Sequence, residues 1–196
     1  MKARQCLWGL ALGALALLMS GCDDDGEPCP NCSKPDPAVV AALAYVDAHR
    51  AELGLREEVD QVAPYRVQED DLGMTHVRCH QFYKGVRVSG GEIIVHLNAA
   101  LEVVNVSSGI FHDVDVDVKP VITGWTAAHT ARDDFRADGF RVEQREQIEK
   151  VIFRWFDGDH LCWSIVLRAI AGVDKREYFV DAHTGEIIHW RSWVIS

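Results

Sequence analysis

The stretch THVRCHQFYKGVRVSGGEIIVHLNAALEVVNVSSGIF, from Thr75 to Phe111, decides how this chain folds. Thr75, Val77, Cys79, Gln81 and Tyr83 share one side of an extended strand, and His76, Arg78, His80 and Phe82 share the other, because successive strand residues point to opposite faces. Tyr83-Lys84-Gly85-Val86 reads as a tight turn, with Gly85 able to take the positive φ it needs. Val86 to Val88 returns, Gly91 to Leu97 makes a second long strand, and Leu101 to Phe111 a third, joined through Asn98-Ala99-Ala100. The pattern predicts a small antiparallel meander.

Working outward, Asp36-Pro37 is a helix start, Asp as N-cap and Pro in the first turn. Val39, Leu43, Val46 and Leu53, with Ala42 and His49, line one face at helical spacing, and Gly54 is the expected stop. A link containing Pro64 then leads to the meander. After the meander, Asp113-Val114-Asp115-Val116-Asp117-Val118 alternates acid and aliphatic. Alternating carboxylates suggest calcium, but no glycine bends them round an ion, and a solvated edge strand is the preferred reading. Thr123 caps a second helix with Ala128, Ala131 and Phe135 on its buried stripe and Gly139 at its end. Strands follow at about Lys150–Phe156, Leu161–Ile170, Arg176–Val180 and Glu186–Trp193. Phe156-Asp157-Gly158-Asp159-His160 and Asp181-Ala182-His183-Thr184-Gly185-Glu186 supply hairpin turns.

The first residues read as an address. Lys2 and Arg4 precede an apolar run from Leu7 to Met19, too short for the ~20 residues that span a bilayer. The run ends in Leu18-Met19-Ser20-Gly21-Cys22, which resembles a bacterial lipobox. That resemblance implies a signal over residues 1–21, lipid on Cys22 and an exported protein held at the membrane of the cell envelope. Residues 22–36, acidic and Pro-rich, are the expected disordered tether.

The formal net charge is −10, and removing Lys2 and Arg4 with the leader makes it −12. A surface so acidic excludes nucleic acid as a natural partner, since phosphate binding needs a basic footprint. Cys29, Cys32, Cys79 and Cys162 remain beside Cys6 and Cys22. Cys29-Pro30-Asn31-Cys32 admits redox, zinc or local disulfide readings. The Pro-rich setting, with no strand before it, favours the disulfide. Cys79 and Cys162 are candidates for a disulfide between strands, which geometry alone decides.

Two family resemblances rest on these residues. Gln81-Phe82-Tyr83-Lys84-Gly85-Val86-Arg87-Val88, followed by Gly91-Glu92-Ile93-Ile94-Val95-His96, resembles the fungalysin/thermolysin propeptide motif. Tyr178-Phe179-Val180-Asp181-Ala182, with Thr184-Gly185-Glu186-Ile187-Ile188, resembles the C-terminal hairpin of a PepSY domain. Their order is that of thermolysin-type proregions. The resemblance implies an α+β fold of two small antiparallel sheet modules each faced by a helix, with residues 37–119 as the first and 120–196 as the second. It singles out Gln81, Tyr83, Gly85, Val88, Glu92, Asp181 and Gly185 as motif residues. It also implies a role on a thermolysin-like zinc metallopeptidase, as inhibitor or folding aid, with Trp193 and Ser196 in the stretch that meets the peptidase cleft. The alternative is a PepSY-type envelope scaffold with no peptidase partner.

No catalytic constellation competes with that reading. None of the nine histidines is followed by Glu, so no His-Glu-x-x-His exists. His76 and His80, four apart on a strand, are separated by ~13 Å and read as exposed. His183 and His189 are expected at the surface too. The expectation is no enzyme, no cofactor and no metal. Trp163 is expected in the core, and the tail with Trp190 and Trp193 reads equally as a last strand or a binding segment.

Overall fold

The computed structural model describes residues 35–142, 147–170 and 174–194, with the side chains of 193 and 194 excepted. Cys22, Cys29, Cys32, Ser196 and the Trp193 side chain lie outside the described residues. The elements are α1 (Pro37–Ala48), β1 (Asp60–Glu69), β2 (Thr75–Tyr83), β3 (Val86–Leu97), β4 (Val103–Ser108), α2 (Gly124–Ala137), β5 (Gln147–Trp155), β6 (Gly158–Arg168), β7 (Asp174–Asp181) and β8 (Ile187–Val194).

Both helices start where their caps predict. Asp36 accepts from the Ala38 amide at 2.8 Å, and Thr123 Oγ1 accepts from the Thr126 amide at 3.1 Å. α2 buries Ala127, Ala128, Ala131 and Phe135, and Gly139 follows its end at φ 88°. α1 ends at Ala48, six residues short of Gly54, and Gly54 instead closes the turns that carry Leu53 and Leu55 into the core.

The expected pair of small sheets is a single eight-stranded mixed sheet, ordered β1-β2-β3-β5-β6-β7-β8, with β4 also paired to β3. Ile93–Leu97 of β3 pairs with β4, while Arg87 and Val88 pair in parallel with Val151 and Ile152 of β5. Gly90, at φ 86°, lies between the two zones. The cause is a mismatch of lengths. β4 has 6 residues against 12 in β3, so the start of β3 would keep unpaired backbone groups. β5 satisfies them and joins the halves.

One face of this sheet is covered. Over β2 and β3, α1 seals Ala38, Ala42 and Val46 against Val77, Cys79, Ile93, Val95 and Leu97. Over β6 and β7, α2 packs Phe135 and its alanines against Ile165, Leu167, Tyr178 and Val180. Between the helices runs the segment from Phe111 to Val118. It is not the expected solvated edge strand. It makes no ladder, and its valines face inward, Val114 fully buried among Tyr83, Val86, Val88, Ile152 and Leu161. The alternation was real, but the apolar side found a core before the backbone found a strand.

The link with Pro64 is β1, antiparallel to β2, with its register shifting between Pro64 and Arg66. An edge strand tolerates proline at such a bulge. Cys79 and Cys162 are free and buried, on β2 and β6. With β3 and β5 between them they stand roughly 14 Å apart at ~4.8 Å per strand, beyond the reach of a disulfide.

Candidate functional site

The motif residues divide by role. Gln81 is fully buried, and its amide clamps the segment that leaves β4: Nε2 donates to the Phe111 carbonyl and Oε1 accepts from the Phe111 amide, both at 2.9 Å. Gly91 makes room for it, since a Cβ there would sit 2.5 Å from Gln81 Oε1. Tyr83 and Val88 fill the core under the Phe111–Val118 strap, and the Tyr83 hydroxyl donates toward Asp115 at 3.5 Å. Gly85 takes φ 76° in the β2–β3 turn, and Gly185 takes φ 84° before β8. Asp181 holds that last turn, its Oδ1 accepting from the His183 and Thr184 amides at 2.7 and 2.8 Å. These six residues build the sheet, its strap and its turns.

Glu92 belongs to the opposite face, where no described helix packs. Arg78 Nη1 donates to both Glu92 oxygens, at 3.1 and 3.2 Å, and the Tyr65 hydroxyl also donates to Glu92. Tyr65 stacks on His80 at 3.8 Å. Next along the face, Arg87 grips Glu149 through two bonds of 2.6 and 2.7 Å, which hold the Glu149 carboxyl below its ordinary range. Further on, Glu177 is buried and accepts from Ser164 Oγ and Arg191 Nε, each at 2.6 Å. Arg87, Glu149, Ser164, Glu177 and Arg191 line a shallow groove of about 220 Å³. Beyond it lies an aromatic end, with Phe153 stacked on Phe179 at 3.9 Å and Trp155 on His189 at 4.3 Å. Phe156, at the β5–β6 hairpin tip, is 94% exposed.

Chemically the open face is polar and aromatic. Its charges alternate in sign and are matched in pairs, and its rings are held by stacking, so it offers rigid polar and aromatic contacts. The thiols of Cys79 and Cys162 are pushed up to about 12, first by burial, and stay protonated.

The histidines expected to be exposed are half-buried. His76 faces His96, His80 lies under Tyr65, and His189 joins the aromatic stack. His183 bonds the Lys119 carbonyl at 3.2 Å. Trp163 reaches from β6 to donate to the Ile122 carbonyl at 3.0 Å, packed against the core as expected. Trp190 is 42% exposed and lies against Arg176, whose guanidinium sits 4.3 Å from its ring. The tail up to Val194 is an ordinary strand paired with β7. Alternation alone did not disclose Tyr65, Arg87, Glu149 or Glu177, because their partners lie on other strands. His160 was legible in part: it sits three residues after Asp157, its Nε2 3.0 Å from that carboxylate and its Nδ1 3.3 Å from Asp181.

A model of the fungalysin/thermolysin propeptide motif matches residues 60–110. The match spans β1 to β4 and begins at the strand that the sequence pattern hid. It marks this part of the chain as propeptide-like, a non-catalytic role related to thermolysin-like proteases. Among solved structures, the C-terminal domain of Bacillus megaterium YpeB is similar at 18% identity and a TM-score of 0.43, over 82% of this chain and 67% of that one. A Clostridium difficile 630 chain described as a lipoprotein is similar at 11% identity and a TM-score of 0.28, over 78% of this chain and 90% of that one. No curated protein matches the chain.

Proposed function

We propose that this chain is a non-catalytic, propeptide-like protein that binds a separate thermolysin-like zinc metallopeptidase in trans, as an inhibitor or folding aid. The observation that carries the reading is the propeptide motif at residues 60–110. Its strands are continuous with the rest of the sheet, so the whole open face is available as one contact surface. A rigid face of matched charges and stacked rings suits a protein partner, where Tyr, Trp and Arg anchors contribute most of the affinity. In this reading the stretch from Arg191 onward carries Trp193 and Ser196 toward the peptidase cleft. Lipid on Cys22 holds the assembly at the envelope membrane.

The test is to add residues 23–196 to a thermolysin-type peptidase lacking its own proregion, and to the same enzyme during refolding from denaturant. The reading expects slower hydrolysis at micromolar concentration in the first assay or a higher yield of active enzyme in the second. No effect in either rejects it.

A further inference from the structure

His76 and His96 stand directly opposite each other on β2 and β3, on the open face. Their Nδ1 atoms are 2.8 Å apart. Both outer nitrogens are engaged as well: His76 Nε2 lies 3.0 Å from Asp70 Oδ2, and His96 Nε2 lies 3.2 Å from Ser107 Oγ. Asp70 is fixed by its own turn, its Oδ1 accepting from the Leu72 and Met74 amides at 2.9 and 3.0 Å.

A carboxylate only accepts, so His76 carries its proton on Nε2 and its Nδ1 presents a lone pair. The Ser107 hydroxyl can donate or accept, so His96 has a choice. With its proton on Nδ1, it hydrogen-bonds His76. With its proton on Nε2, given to Ser107, both Nδ1 atoms present lone pairs, and a cation beside the line between them can take the place of the shared proton.

We propose that His76 and His96 form a two-imidazole chelate for a divalent transition metal of the copper(II) or nickel(II) class. Two nitrogens each about 2.0 Å from a metal and cis in a square plane are about 2.8 Å apart, whereas tetrahedral zinc would need about 3.3 Å. The contact from Asp70 to His76 is the outer-shell carboxylate that fixes a ligating ring and raises its basicity. Among the described residues no three His, Cys, Asp or Glu side chains form a metal site. The remaining coordination positions therefore belong to water or to a ligand from outside. The proposal stands apart from peptidase binding.

The test is to titrate copper(II) into the full chain after exposed thiols are alkylated, following affinity by calorimetry and ligation by electron paramagnetic resonance. One equivalent with a two-imidazole signature is expected, together with a copper-dependent rise in Tm. His96→Gln should bind at least tenfold more weakly, Ser107→Ala about tenfold more weakly through the lost outer contact, and His183→Gln as the wild type does. Circular dichroism checks that the variants are folded. Saturable binding unchanged by His96→Gln overturns the proposal. So does a native chain without the two-imidazole signature, which would leave a hydrogen-bonded pair only.

Discussion

Gln81 shows how one polar side chain can set a chain's path. It is fully buried because it satisfies a backbone donor and acceptor where the chain leaves β4 for the strap. Gln81→Leu should keep the volume but strand both Phe111 groups, costing roughly 2–4 kcal/mol in urea unfolding. His160 carries a pH signature. Burial lowers its pKa, but Asp157 and Asp181 outweigh that and leave it raised. A raised pKa means that charged His160 stabilises the fold. That contribution is complete below the ordinary His value of about 6.5 and is lost as pH rises through the folded value. The stability gap between wild type and His160→Gln should therefore be widest near pH 6 and narrow as pH rises; a gap that grows with pH would contradict it. At this scale the sequence marked Gln81 as a motif residue and put it on one strand face with Cys79 and Tyr83. The clamp itself was hidden, because Phe111 lies thirty positions away.

At the scale of elements, the strap decides most. Residues 111–118 alternate like a strand yet form no ladder, and Val114 closes the core between α1 and α2. Val114→Ala should cost about 2 kcal/mol, the range for a buried truncation. A solvated edge strand would lose less than about 0.5 kcal/mol, so thermal or urea denaturation separates the two readings. Both helices were legible at their starts, because an N-cap is a local signal: Asp36 and Thr123 each need only the next three residues. β1 was illegible for the converse reason. After Asp60 its side chains are exposed or half-exposed, so no apolar alternation marks it, and Pro64 argues for a loop until the bulge is seen.

For the whole molecule, the parallel contact of Arg87 and Val88 with Val151 and Ile152 turns two expected sheets into one. Two residue pairs more than sixty positions apart leave no periodic trace, so nothing in the spacing corrected the two modules that the family resemblance implied. Val114 packs on both sides of that seam, so the halves share a core. Residues 35–196 should unfold in one cooperative transition, with tryptophan fluorescence (which reports on α2 and β5 to β8) and far-UV circular dichroism giving the same midpoint. Two separated midpoints would mean that the seam does not couple the halves. The proposed partner is tested most directly by sedimentation velocity with a catalytically inactive thermolysin-type domain lacking its own proregion. A one-to-one complex at micromolar concentration is predicted, and two species sedimenting independently at that concentration would contradict the account.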